Sequence, residues 1–140
     1  MTARDVVDAL LAELRENVSY LEPLRTLAVK EYERDVARRK MAERCFQVAI
    51  ECVIDISHHL TSDHSWGLAT SGEKALDVIA SRGVIPSELR ERLRGVAGFR
   101  NVLVHNYVEL DHARVHGHLA RLGDLIEFGR HVQAFIDRNA

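Results

Sequence analysis

An all-α bundle is the fold this sequence predicts, and three observations predict it. Apolar residues recur at spacings of three and four along nearly the whole chain, the period of a helix with one buried face. No stretch alternates apolar and polar residues as a half-buried strand does. The interruptions are few: Pro23, the Gly/Ser-rich run "TSDHSWGLATSG", which is the one long loop expected, Gly83 and "VELD". With 140 residues and no repeat, low-complexity tract or linker, the chain reads as a single domain, residues 1–140. The expected architecture is an up-and-down bundle of about five helices.

The first helix begins after a Thr2 or Asp5 cap and carries Val6, Val7, Leu10, Leu11, Leu14, Val18 and Leu21 on one stripe. Pro23 breaks or kinks it. Leu24, Leu27 and Ala28 then lead into "KEYERDVARRKMAERC", expected to continue as a charged, mostly solvated helix. "MAERCFQVAIECVIDISHHL" is the most apolar segment and the expected central helix, ending near the long loop, which Trp66 is placed to anchor. "EKALDVIASRG" forms a short helix stopped by Gly83. "IPSELRERL" starts another, with Pro86 in its first turn and Glu88 against the positive end of the dipole, running to about Tyr107. A last helix from about His112 turns Val115, Leu119, Leu122, Ile126, Val132 and Ile136 inward.

Charge and composition exclude several classes. The formal net charge of −2 gives no global basic field toward nucleic acid or membrane, so contact with an anionic polymer needs a local site. No run approaches the roughly 18 apolar residues of a membrane span. The N-terminus "MTARDVVDALLAEL" carries acids where a signal peptide has an uninterrupted apolar core, so a cytoplasmic location is expected. Cys45 and Cys52 share a helical face but lie about 10 Å apart along the axis. That is too far for a disulfide, and both read as small buried apolar residues.

The stretch that resists a structural explanation is "RNVLVHNY", residues 100–107. Leu89, Leu93, Val96, Leu103 and Tyr107 form an apolar stripe, and Arg100 lies on it, several turns from the expected helix start. A lone buried guanidinium is costly, so this one needs an acid, an anion or a water-filled cleft. Asn101 and His105 are four apart, where the amide can hold the imidazole. Arg100 and His105 are separated by about 140° on a straight helix, so they converge on a ligand only through distortion or a second helix. Gly95 and Gly98 permit close approach of another backbone. The plain alternative is a structural Arg paired to Glu51 or Asp55, with His105 capping a helix end.

"GFRNVLVHNY" resembles the signature of the HEPN superfamily, Arg-x4-His, with a Tyr two residues further on, as in the HepT toxin family. "ERCFQVAIECVIDISHHL", a short helix, "GVIP" and "LRGVAGFRNVLVHNYVELD" follow that family's order across about residues 40–115. The resemblance implies a bundle that forms a homodimer, with the motif helices facing a shared cleft. It also implies an endoribonuclease toxin working without metal or other cofactor. Arg100 and His105 would then be catalytic, with Arg100 binding the scissile phosphate and stabilising its charge. Histidine ordinarily titrates near neutral pH, which suits His105 to move protons as the ribose 2′-OH attacks or the 5′-oxygen leaves. Asn101 would support them. Tyr107 would be the residue to which a partner nucleotidyltransferase antitoxin (MntA) transfers AMP, silencing the nuclease. Arg92, Arg94 and Arg44 are candidates for holding RNA.

Other polar clusters carry less. His112 and His116 are four apart, a spacing that suits a metal, but no Cys or Glu stands at a matching position in the sequence. No metal site is therefore expected. His58, His59 and His64 suit surface and capping roles, and "ERDVARRK" a solvated face with a possible nucleic-acid contact. Three functions fit the sequence: the ribonuclease, a non-catalytic nucleotide- or partner-binding subunit acting beside a nucleotidyltransferase, and a plain helical dimerisation protein.

Overall fold

The computed structural model describes residues 1–139. Among them are eight α-helices and no strand: α1 (Ala3–Leu21), α2 (Val29–Arg34), α3 (Val36–Asp63), α4 (Gly72–Ser81), α5 (Ser87–Arg92), α6 (Val96–His105), α7 (His112–His118) and α8 (Leu122–Arg138). Five of these, α1, α3, α4, α6 and α8, have ten or more residues, which is the bundle the periodicity predicts. The three short ones lie where the sequence reading ran two segments together.

Local chemistry sets each boundary. Thr2 caps α1, accepting from the Asp5 N–H at 3.1 Å while the Asp5 carboxylate accepts from the Thr2 N–H at 2.8 Å. Pro23 stands in a 3-10 turn, Glu22–Thr26, that ends α1. The charged stretch that follows is not one helix: Asp35 leaves the helical region and caps α3 through the Arg38 N–H. Nor is it all solvated, because Tyr32 on α2 is fully buried.

The core sits between α1, α3 and α8. Leu11, Leu14 and Leu21 of α1 pack with Phe46, Ala49, Val53 and Ile56 of α3 and Phe128 and Val132 of α8. Each leucine withdrawn from water contributes about 1.5–3 kcal/mol. Cys45 and Cys52 are free and buried, as expected; burial pushes both thiols up, that of Cys52 to about 12, so neither is a ready nucleophile. Trp66 anchors the loop after α3, its ring stacked on His64 at 4.6 Å and edge-on to Phe135 at 5.9 Å. At the far end of that loop α4 approaches α3 closely. A Cβ on Gly72 would meet Ile54 side-chain carbons at 3.0–3.2 Å, so a larger residue there needs the Ile54 side chain to give by a few tenths of an ångström.

The largest departure from the sequence reading is in the motif helix. It does not run from Pro86 to Tyr107 but stops at Arg92 and restarts at Val96, because Gly95 takes φ +90°. Leu89, Leu93 and Leu103 are still buried, so the apolar stripe continues across the break. Tyr107 leaves that stripe: α6 ends at His105, and Tyr107 begins a 3-10 turn, Tyr107–Glu109.

Candidate active site on the α3–α6 face

The start of α6 is fixed by a carboxylate from another helix. Glu73 of α4 accepts from the Gly95 N–H at 3.2 Å and from the Ala97 N–H at 3.0 Å, satisfying N–H groups that a helix start leaves unpaired. Arg90 holds that carboxylate from the other side, donating from Nη2 to Glu73 at 3.0 Å and from Nε to Asp77 at 2.7 Å. Arg90 is 3 % exposed. Burial alone would raise the Glu73 carboxyl, but the two backbone donors and Arg90 outweigh it and hold it below the usual carboxylate range. The Arg90 hydrogen bond likewise lowers Asp77. Sequence reading missed this arginine. "SELRERLR" looks solvated throughout, and its partners lie 13 and 17 residues back; the available signal was Glu73 and Asp77, four apart on one face of α4.

From that anchor α6 presents two faces. Val96, Phe99 and Leu103 pack inward, Phe99 against Phe46 of α3 at 5.6 Å and stacked on His118 of α7 at 4.0 Å. Burial, then Arg121 and Arg114, lower the His118 imidazole, which favours its neutral form in that aromatic stack. Gly98, Asn101, Val102 and His105 face outward and are exposed.

Arg100 lies at the edge between these faces, its side chain 30 % exposed. Its Nε donates to Asn101 Oδ1 at 3.0 Å, and its Nη1 stands 4.0 Å from Glu51 Oε1 on α3. The acid the buried-charge argument called for is therefore Glu51. The Asn101 amide engages Arg100, and no hydrogen bond joins it to His105 among the described residues. Arg100 and His105 lie on different flanks of α6, so within one chain they do not converge on one point.

Other predicted residues separate clearly. Arg92, a candidate RNA contact, pairs with Asp124 and Glu127, and Arg94, another, with Glu91 and Asp77. Arg44 is exposed and has no ion pair among the described residues. His112 contacts Arg39 and lies 3.7 Å from Glu43, while His116 bonds the Leu27 carbonyl at 2.7 Å; both tie α7 to its neighbours. Tyr107 is 62 % exposed and Val108 84 %. The apolar stripe is covered within the chain, Leu93 and Leu103 being buried; on α6 and the turn after it, Val102, Tyr107 and Val108 are exposed.

Comparison with known proteins adds to this geometry. The family described as Ribonuclease HepT-like matches residues 13–132. The chain is 31% identical over 65 residues to "mRNA nuclease HepT" of Shewanella oneidensis, a match covering 46% of this chain and 49% of that protein. It is 22% identical over 106 residues to "tRNA nuclease HepT" of Aphanizomenon flos-aquae, covering 76% of this chain and 72% of that one. The first match thus spans about half the length of its relative. In three dimensions the chain is similar to a tri-AMPylated Shewanella oneidensis HEPN toxin in complex with MNT antitoxin, with a TM-score of 0.83 and 21% identity over 96% of this chain and 99% of that one. At that identity the likeness is one of fold.

Proposed function

This chain belongs to the Ribonuclease HepT-like family, and we propose that it is the endoribonuclease toxin of a toxin–antitoxin pair, cutting RNA at the Arg100–His105 motif without a metal. The observation that carries this reading is the state of Arg100. Arg90 is buried against Glu73 and Asp77, and Arg92, Arg94 and Arg121 each have a carboxylate closer than the one beside Arg100. The Arg100 guanidinium has a single hydrogen bond, to an adjacent amide, and a carboxylate only at 4.0 Å. It is the cation on α6 that is free to exchange its present neighbours for a phosphate.

The chemistry follows from the groups. Arg100 offers a planar fork to the scissile phosphate and stabilises charge that builds on its oxygens. As the O2′–P bond forms the P–O5′ bond breaks, and His105 takes the 2′-OH proton or supplies one to the leaving O5′. Because Arg100 and His105 splay on one helix, a complete site is assembled from two copies of α6 facing each other in a homodimer. Exposed Val102, Tyr107 and Val108 and the open surface at Gly98 support that pairing. A nucleotidyltransferase antitoxin is the second partner, and Tyr107 is its AMP acceptor.

The test is cleavage of single-stranded RNA by the purified protein in excess EDTA. Arg100→Ala and His105→Ala are each expected to lower the rate by about 10²–10⁴, with thermal midpoints close to the parent's. Cleavage that depends on added divalent metal overturns the metal-free mechanism. An Arg100→Ala protein that unfolds makes Arg100 structural. RNA left intact under every condition, with a nucleotidyltransferase still bound, makes the chain a non-catalytic subunit.

A further inference from the structure

We infer that the exposed stripe of α3 carrying Lys40 and Arg44 is the track along which the RNA backbone runs into the site, an inference that rests on the RNA-cleaving reading above. Lys40, Arg44, Gln47 and Glu51 follow one another at spacings of four, three and four. On a helix this keeps them within about 20–60° of one another over roughly 16 Å. The stripe is continuous with the site: Gln47 Nε2 donates to Glu51 Oε1 at 3.1 Å, and that oxygen is the one 4.0 Å from Arg100.

Availability singles these two cations out. On the same segment Arg38 is bound to Asp35 and Arg39 to His112. Lys40 and Arg44 are exposed and, among the described residues, have neither ion pair nor side-chain hydrogen bond. With a chain charge of −2, binding to an anionic polymer depends on such local cations. The occupant is RNA rather than an acidic protein because the stripe joins the phosphate-binding arginine end to end. Exposed lysines, moreover, are depleted from the cores of protein interfaces.

The experiment uses full-length His105→Ala protein, which binds without cutting, and a fluorescein-labelled single-stranded RNA titrated by anisotropy from about 50 to 200 mM salt. Adding Lys40→Gln and Arg44→Gln together is expected to weaken binding about tenfold at the low-salt end. The slope of log K against log salt should fall by about 1.4, two contacts at about 0.7 each for a single strand. Arg130→Gln, on the α1–α8 side, should leave the slope unchanged. If the parent binds RNA and the double variant keeps both affinity and slope, the track is overturned while the functional reading stands. A double variant that binds RNA normally but no longer binds a nucleotidyltransferase reassigns the stripe to protein docking and overturns the track too. If the His105→Ala protein binds no RNA at all, the functional reading fails and the track with it.

Discussion

Glu51 Oε1 and Arg100 Nη1 stand 4.0 Å apart across the α3–α6 contact, and the same Glu51 oxygen accepts from Gln47 Nε2 at 3.1 Å. Both charged side chains are about a third exposed, 35% and 30%. An ion pair of this kind is worth about 0–1 kcal/mol. It holds the guanidinium in the resting protein and yields readily to a phosphate, which accepts from the same donors with more charge. The pair explains how an arginine sits beside an apolar stripe and remains able to bind an anion.

Glu51→Gln is therefore expected to tighten RNA binding by up to about fivefold, the range open to a partly exposed pair. Anisotropy in the His105→Ala background measures it directly. Weaker binding would show instead that Glu51 orients Arg100 for the substrate rather than competing with it.

The Glu73–Arg90 anchor makes a prediction about stability rather than chemistry. Glu73→Ala leaves the buried Arg90 with Asp77 as its one carboxylate, beside the residue-73 carbonyl that accepts from its Nη2 at 3.1 Å, and uncaps α6, at a cost of about 3 kcal/mol. The pH dependence follows from the direction of the shifts. The Glu73 and Asp77 carboxyls both lie below their ordinary values in the folded protein. Their stabilisation is therefore fully present above the unfolded carboxylate range and is lost as pH falls through the folded values. Thermal midpoints should decline below about pH 4.5 in the parent, and more shallowly in Glu73→Gln. Parallel curves would mean that this pair does not govern acid unfolding.

The same anchor shows what the sequence conceals. Helical period alone gives α1, α3, α8 and the apolar stripe through Leu89, Leu93 and Leu103, because burial repeats every turn. Arg100 stands out as a cation on that stripe, and the need for an acid on α3 follows. The break at Gly95 is hidden because Leu93 and Leu103 stay buried on either side of it, so the stripe runs on while the backbone does not. Arg90 is hidden because its burial depends on α4, an element its own neighbours in sequence do not mention. Whether Leu93 is covered is likewise decided by tertiary packing, not by period.

Gly98 tests the proposed dimer face. A Cβ there meets nothing within 4 Å, so Gly98→Asp should not disturb the folded chain, and replacing a helical glycine recovers some propensity. On a face shared by two copies of α6, each new carboxylate would confront its counterpart near Val102. Light scattering is expected to give a dimer for the parent and the 15.8 kDa monomer for Gly98→Asp, with RNA cleavage lost. A monomeric variant that cuts at the parental rate would show that one chain holds a complete site.

Tyr107 is the residue where control of the site is expected. Of the three tyrosines, Tyr32 is fully buried and the Tyr20 hydroxyl donates to Glu16 at 3.2 Å. Tyr107 is the most exposed, at 62 %, and sits just past the end of α6 on a turn that another enzyme can approach. Transfer of AMP forms a bond from its phenolic oxygen to the α-phosphorus of ATP, with loss of the phenolic proton and of pyrophosphate. The product would carry a phosphodiester charge and a nucleotide's bulk on the turn two residues beyond His105. Arg100 can then bind that phosphate in place of RNA, while the nucleotide fills the groove. Co-expression with the cognate nucleotidyltransferase is expected to raise the intact mass by one or more AMP units on Tyr107 and to leave the protein dimeric and inert. Tyr107→Phe should escape modification and keep cleaving RNA if the hydroxyl takes no part in the chemistry. Peptide mapping decides the point: an adduct on Tyr20 or Tyr32, or none at all, would remove Tyr107 from the control of this site.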